Sequence, residues 1–144
     1  MLKVDTIEQG TVIDHIKAGK GEKVLRMLGI DEDYTYRVAL VMNVSSKEKG
    51  KKDIVKIEGK EVSERNANKI ALISPSATIN IIKNEKVIKK FKVELPKDLT
   101  DAGKCPNPNC ITNHEVSIQM FKLEKDRYRC HYCERSATPE ELVK

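Results

Sequence analysis

Four cysteines in two close pairs constrain this chain more than any other feature. They stand in CPNPNC and CHYC: four residues separate Cys105 from Cys110, two separate Cys130 from Cys133, and nineteen lie between the pairs. Two such loops flanking a hairpin can bring four thiolates to the corners of a tetrahedron around Zn2+. A segment of about 40 residues buries too little apolar surface to fold unaided, and structural zinc supplies roughly 10–16 kcal/mol of apparent binding energy in small fingers. One structural zinc per chain, held by Cys105, Cys110, Cys130 and Cys133, is therefore expected. Four sulfurs close the coordination shell, so His114 and His131 are spare and a catalytic metal has no open position. Disulfides do not suit a cytosolic chain, and Cys130-His131-Tyr132-Cys133 lacks the βαβ context of a thioredoxin-like pair.

Charge divides the chain near the same place. Residues 1–100 hold 20 Lys and Arg against 15 Asp and Glu, whereas residues 101–144 hold 7 against 7. All of the net +5 thus lies in the first two-thirds, and all four cysteines lie in the last third. The stretch LPKDLTDAGK (95–104) has no core periodicity and carries Pro96 and Gly103, which marks it as a linker. Two domains follow, 1–97 and 98–144, with different partners. No apolar run approaches the ~18–20 residues of a membrane span, and no secretory leader is visible after Met1, so the chain is read as cytoplasmic with no membrane role.

With 4% aromatic residues and no Trp, the core must be aliphatic. LKVDTI and TVIDHI read as extended pieces. GKGEKVLRMLG reads as a two-turn helix with Val24, Leu25 and Leu28 inward and Gly29 as its stop. YTYRVALVMNV is the clearest strand, with Val38, Leu40, Met42 and Val44 alternating against their neighbours. After the loop SSKEKGKK comes the strand DIVKIEG. A second helix begins at Ser63, a ready amide cap, places Ala67, Ile70, Ala71 and Ile73 on one face, and stops before Pro75. ATINII and KVIKKFKVEL pair across a tight turn at Asn84-Glu85. The order β-α-β-β-α-β-β predicts an α+β domain of ferredoxin-like form, an antiparallel sheet with two helices on one face. The C-terminal domain is predicted to be small, all-β and zinc-ribbon-like: a hairpin over EVSIQMFKLEKDRYRC turning near Lys125-Asp126, and a helical turn after Thr138.

GTVIDHI holds Asp14 beside His15. In a regular strand adjacent residues face opposite sides, which argues against an Asp–His catalytic relay. Lys52 and Lys56 share a strand face, and Lys89 and Lys90 lie in the last strand after Asn80. If the sheet pairs the first strand with a late one, these groups converge on a site suited to polyphosphate. Each also has an ordinary reading, the lysines as solvated surface and His15 as a satisfied half-buried side chain. There is no Gly-rich phosphate loop, nucleophile elbow or paired carboxylate, so an enzyme is not indicated. The cysteine domain is neutral, and a tetrathiolate zinc adds negative charge. A zinc-ribbon nucleic-acid-binding protein, the alternative reading, would need a basic surface there. The apolar SIQMF stretch, with Ile118, Met120 and Phe121, fits a protein–protein contact better.

GTVIDHI, GKKDIVKIE, SPSATIN, CPNPNCITN and CHYC together resemble the regulatory chain of aspartate carbamoyltransferase, over nearly the full length. The resemblance implies a non-catalytic subunit of a pyrimidine-synthesis enzyme. Its N-terminal allosteric domain would bind nucleotide triphosphates (CTP, ATP, UTP) and pair regulatory chains into homodimers. Its C-terminal zinc domain would grip the separate catalytic chain, and nucleic acid would not be a partner. Carried across by motif, Val4, Asp5, Thr6 and Ile7 would lie along the base. Asp14 would sit near ribose and base, His15 near the phosphates, and Lys56 near the ribose with Lys52 beside it. Asn80, Ile82, Val87 and Lys90 would complete the pocket, Asn80 and Lys90 on the triphosphate side. Where the family can place an aromatic beside the base, this chain has Glu85, and few residues precede its first strand.

Overall fold

Every second residue from Asp53 to Ile57 is buried, and that alternation organises the N-terminal unit. The structure is a computed structural model and describes residues 8–47, 50–115 and 117–143. The expected first extended piece, with Val4, Asp5, Thr6 and Ile7, lies outside the described residues. The chain forms two compact units, 1–93 and 94–144.

In the first unit, β1 (Gly10–Lys17), α1 (Gly21–Met27), β2 (Val38–Ser46), β3 (Gly50–Glu58), α2 (Glu64–Ile73), β4 (Thr78–Lys83) and β5 (Lys86–Lys92) follow in sequence. The sheet order is β2-β3-β1-β4-β5, antiparallel at each pairing. The α+β, ferredoxin-like expectation is met, with β5 added at one edge. Each helix connects parallel strands that flank a third, a split βαβ arrangement that lays both helices on one sheet face. Ile13, Val55, Ile57, Ile79 and Ile81 supply the sheet side of the core, and Val24, Leu28, Ile70 and Leu72 the helix side, all buried.

Local chemistry explains the element ends. Ser63 accepts the Asn66 N–H at 3.2 Å, capping α2 as its sequence position suggests. Gly29 follows α1 with φ of +76°, and Lys60 Nζ donates to the Leu28 carbonyl at 2.8 Å, neutralising a helix C-terminus. Asn84 and Glu85 both have positive φ, 52° and 64°, the signature of a type I′ hairpin turn. Buried Thr11 donates to the Lys60 carbonyl at 2.7 Å and ties β1 to the β3–α2 connection. Among the described residues no helix is long and apolar enough to cross a membrane.

Two expectations about strands need correction. β2 is an edge strand, and its alternation breaks at a bulge between Val41 and Val44, where Asn43 has φ of +60° and Met42 is 43% exposed. The 95–104 stretch is not a linker. Asp98–Thr100 forms β6, the outer strand of the second unit's sheet β6-β7-β8-β9, with β7 at Met120–Glu124, β8 at Arg127–Cys130 and β9 at Ser136–Ala137. A three-residue strand is too short to show periodicity, yet Leu99 is 3% exposed and pairs with buried Phe121. Phe121 is therefore core, while Ile118 and Met120 of the same stretch are exposed. The hairpin does turn at Lys125 (φ of +60°), and a 3-10 turn over Pro139–Val143 buries Leu142.

Because Leu99 fills the core of this small unit, Leu99→Ala should cost about 2–5 kcal/mol. Lys97→Ala, two residues away and exposed, should stay within about 0.5 kcal/mol. Denaturant melts of the metal-loaded protein, followed by a signal from the second unit, compare the two; equal stabilities would restore the linker reading.

Candidate functional site

Antiparallel register places cross-strand partners on the same face, and one such row crosses the whole sheet. Ala39 pairs with Lys56, Lys56 with Val12, Val12 with Asn80, and Asn80 with Lys90. These residues alternate with the buried ones, so the row lies on the face away from the helices. Lys56, Asn80 and Lys90, each named from sequence, are thus brought together. Val12 was missed because an apolar residue in a strand reads as core; only the register places it between Lys56 and Asn80.

The face is chemically graded. Toward the β4–β5 turn, buried Ile82 pairs with Val87, which is 55% exposed. At the other end Asp14 pairs with Thr78, and Thr78 with Lys92. Lys52 Nζ lies 3.0 Å from Asp14 Oδ1 in a largely buried ion pair. Thr78 and Lys92 join this end of the face, although nothing in the sequence singles them out.

His15 corrects the strand-alternation argument. β1 carries a bulge between Ile13 and Ile16, with His15 at φ of +56°. A left-handed residue breaks the two-residue period, so the imidazole does not point to the side opposite Asp14. Its Nδ1 is 3.2 Å from Thr78 Oγ1, the residue paired with Asp14. Asp14 Oδ1 accepts the His15 backbone N–H at 2.6 Å, and Ser76 Oγ donates to the His15 carbonyl at 2.9 Å. The carboxylate therefore holds the His15 backbone and Lys52. Burial works to raise the Asp14 pKa, but the Lys52 ammonium and the His15 N–H outweigh it and hold the carboxyl below its ordinary value.

In the second unit the four cysteine sulfurs lie within 4.8 Å of one another. Cys105 Sγ is 3.6 Å from Cys133 Sγ and Cys110 Sγ 3.7 Å from Cys130 Sγ, far beyond a disulfide bond of about 2.05 Å. Tetrahedral sulfurs with zinc bonds of about 2.3 Å sit about 3.8 Å apart, so the cluster fits a metal of that size. Backbone N–H groups aim at the sulfurs: Asn107 at Cys105, Tyr132 and Cys133 at Cys130, and Arg135 at Cys133. Asn113 Nδ2 donates to the carbonyls of Cys105 and Asn107 at 3.0 and 2.7 Å, pinning the CPNPNC loop. Burial pushes the Cys105 thiol up to about 12 and raises that of Cys130. Burial acts upward on Cys133 too, yet the Asn107 side chain and the Arg135 N–H bring it to about 7. Thiols this close need a cation to ionise together, and a coordinating thiol is deprotonated outright. His114 Nε2 instead lies 2.8 Å from the Pro108 carbonyl.

Comparison with known proteins covers both units. Residues 2–94 match the family model for the allosteric domain of the aspartate carbamoyltransferase regulatory chain, and residues 99–143 match that for its metal binding domain. The aspartate carbamoyltransferase regulatory chain of Pyrococcus horikoshii is 53% identical over 99% of this chain and 96% of its own length. That of Thermococcus kodakarensis is 49% identical (99% and 95%), and that of Sulfolobus acidocaldarius 50% (99% and 89%). The chain belongs to the aspartate carbamoyltransferase regulatory-chain family: a regulatory subunit rather than an enzyme, with an allosteric domain and a metal-binding domain.

The lowered Asp14 pKa has a stability consequence. A carboxyl whose folded value lies below its unfolded value, about 3.9, contributes stability above that pH and loses it as pH falls through the folded value. Asp14→Asn should therefore be less stable than wild type at pH 7, and the gap should narrow as pH falls through the folded value of Asp14. Thermal melts of both proteins across that range check this; a gap that persists at low pH would mean that the ion pair is not its source.

Proposed function

We propose that this regulatory chain binds nucleotide triphosphates on the helix-free face of its N-terminal sheet and passes their effect to the catalytic chain through a zinc-bearing C-terminal domain. The observation that carries the reading is the Lys56–Val12–Asn80–Lys90 row with its graded ends. A triphosphate needs cations and hydrogen-bond donors at one end and its base needs apolar contact at the other. Lys90, Asn80 and His15 suit the phosphates, with Lys92 close by; Lys56, Asp14 and Lys52 suit the ribose; Ile82 and Val87 suit the base, joined by Val4, Asp5, Thr6 and Ile7. CTP, ATP and UTP are the candidate effectors. Chains pair through this domain into homodimers, in a cytoplasmic assembly where reduced thiols persist.

Zn2+ fits the second unit because four thiolates at this spacing suit a soft-tolerant tetrahedral ion. It would cross-link Cys105 and Cys110 to Cys130 and Cys133, holding two loops that otherwise meet only through short strands. Beside those loops Ile111, Ile118, Met120 and Tyr132 are exposed, and Tyr132 Oη donates to the Ile118 carbonyl at 2.9 Å. This apolar surface on a neutral unit suits the catalytic chain better than nucleic acid.

The effector site is tested by calorimetry on the purified holoenzyme. His15→Gln should weaken CTP binding by about 1.5–3 kcal/mol at pH 6, the scale of one charge-assisted hydrogen bond. Equal affinities for the two proteins at pH 6 would return His15 to a structural role.

Zinc removal tests the second half. Metal analysis should find one equivalent per chain, and chelation under reducing conditions should release free catalytic chains on gel filtration while the N-terminal unit keeps its circular dichroism. An assembly that stays intact after complete metal loss would refute the zinc domain as the link.

A further inference from the structure

We infer that Asp53, which lies on the helix side of β3 and contacts no residue of the proposed effector row, is a positioning residue for the phosphate end of that row. The inference rests on the effector reading above and extends it to a residue buried beneath the site.

Asp53 is fully buried. Its Oδ2 accepts the N–H groups of Gly19 and Gly21 at 3.0 and 2.9 Å, and its Oδ1 accepts that of Asn43 at 3.0 Å. These donors belong to two segments far apart in sequence, the β1–α1 turn and the bulge of β2. Bulged residues Met42 and Asn43 stand opposite Asp53, and bulged residues Asp14 and His15 stand opposite the next residue, Ile54. Two bulges, one on each strand flanking β3, thus meet at consecutive residues of β3. Each is a local register choice with a close competitor, since regular pairing would shift everything beyond it to the other face. A carboxylate that accepts three backbone N–H groups is strongly favoured over any register that leaves it unpartnered in the core.

The consequence appears on the opposite face. With the turn after β1 fixed at Gly19 and Gly21, Lys17 pairs with Lys52, and His15 stays in the left-handed conformation that lays its ring beside Thr78. Lys52, next to Asp53 in β3, is held against Asp14 on the effector side. Asp53 therefore acts on the phosphate end through backbone register and reaches no ligand itself. Gly21 shows how little slack there is: a Cβ there would lie 2.5 Å from Leu40 Cδ1 and 3.0 Å from Asp53 Oδ2.

The test compares CTP with CMP on the holoenzyme, because general loosening of the domain weakens both alike. Asp53→Asn keeps the shape but turns an NH2 group toward at least one N–H donor. Folded Asp53→Asn protein should bind CTP about tenfold more weakly, the scale of one lost charge-assisted bond, and CMP less than about twofold more weakly. Gly21→Ala crowds the same carboxylate without altering its charge and should collapse the CTP/CMP ratio in the same direction; it carries the test if Asp53→Asn does not fold. Equal weakening of CTP and CMP, or wild-type CTP binding in a folded variant while His15→Gln still weakens it, would overturn the positioning role. If the wild-type holoenzyme binds no CTP, the effector reading fails and this inference with it.

Discussion

The N-terminal unit turns on a carboxylate that water never reaches. Asp53 sits in a core made mostly of Ile, Val, Leu and Ala, and an uncompensated charge there would cost more than the domain's whole stability. Three backbone N–H groups compensate it. Because they come from the β1–α1 turn and from the β2 bulge, satisfying the charge also closes the sheet around β3. On the far face, the Lys52–Asp14 pair and the left-handed His15 lie beside the two bulges that meet at this strand.

The second unit solves a different problem. It spans 94–144 and has a short core of Leu99, Phe121, Tyr128, Ala137 and Leu142. Strands of two to five residues cannot by themselves hold loops that carry four thiols. The thiols then serve as the missing core: four sulfurs at metal-binding distance, with N–H donors arranged to favour thiolate. Tyr128 shows the same economy, a fully buried ring whose hydroxyl is satisfied by the Pro96 carbonyl at 2.7 Å. That bond holds the segment entering β6, which is why a stretch without visible periodicity is still structured.

In such a chain a regulatory surface and an anchoring surface need opposite designs. On the proposed reading the helix-free sheet face, cationic and graded, suits a small charged ligand that must come and go. On the same reading the near-neutral cysteine unit, with a metal-binding cluster beside exposed apolar side chains, suits lasting contact with protein. The partition of charge and cysteine along the sequence records that division.

Much of this was decided by sequence alone. Ser63 announces its helix through one hydroxyl, Asn84-Glu85 its turn through residues that tolerate positive φ, and the four cysteines their cluster through spacing, because each is a local property that needs no distant partner. Lys56, Asn80 and Lys90 could be named as anion-binding types, but their meeting in one row required the strand order β3-β1-β4-β5. Tertiary structure alone decided the rest. The β1 bulge is a negotiation between β1 and β3, so nothing in GTVIDHI says that His15 leaves the strand period. Leu99 becomes core only when Phe121 pairs with it. Asp53 reads in KKDIVK as one more surface charge, and only the folding of Gly19, Gly21 and Asn43 around it supplies the donors that let a carboxylate be buried.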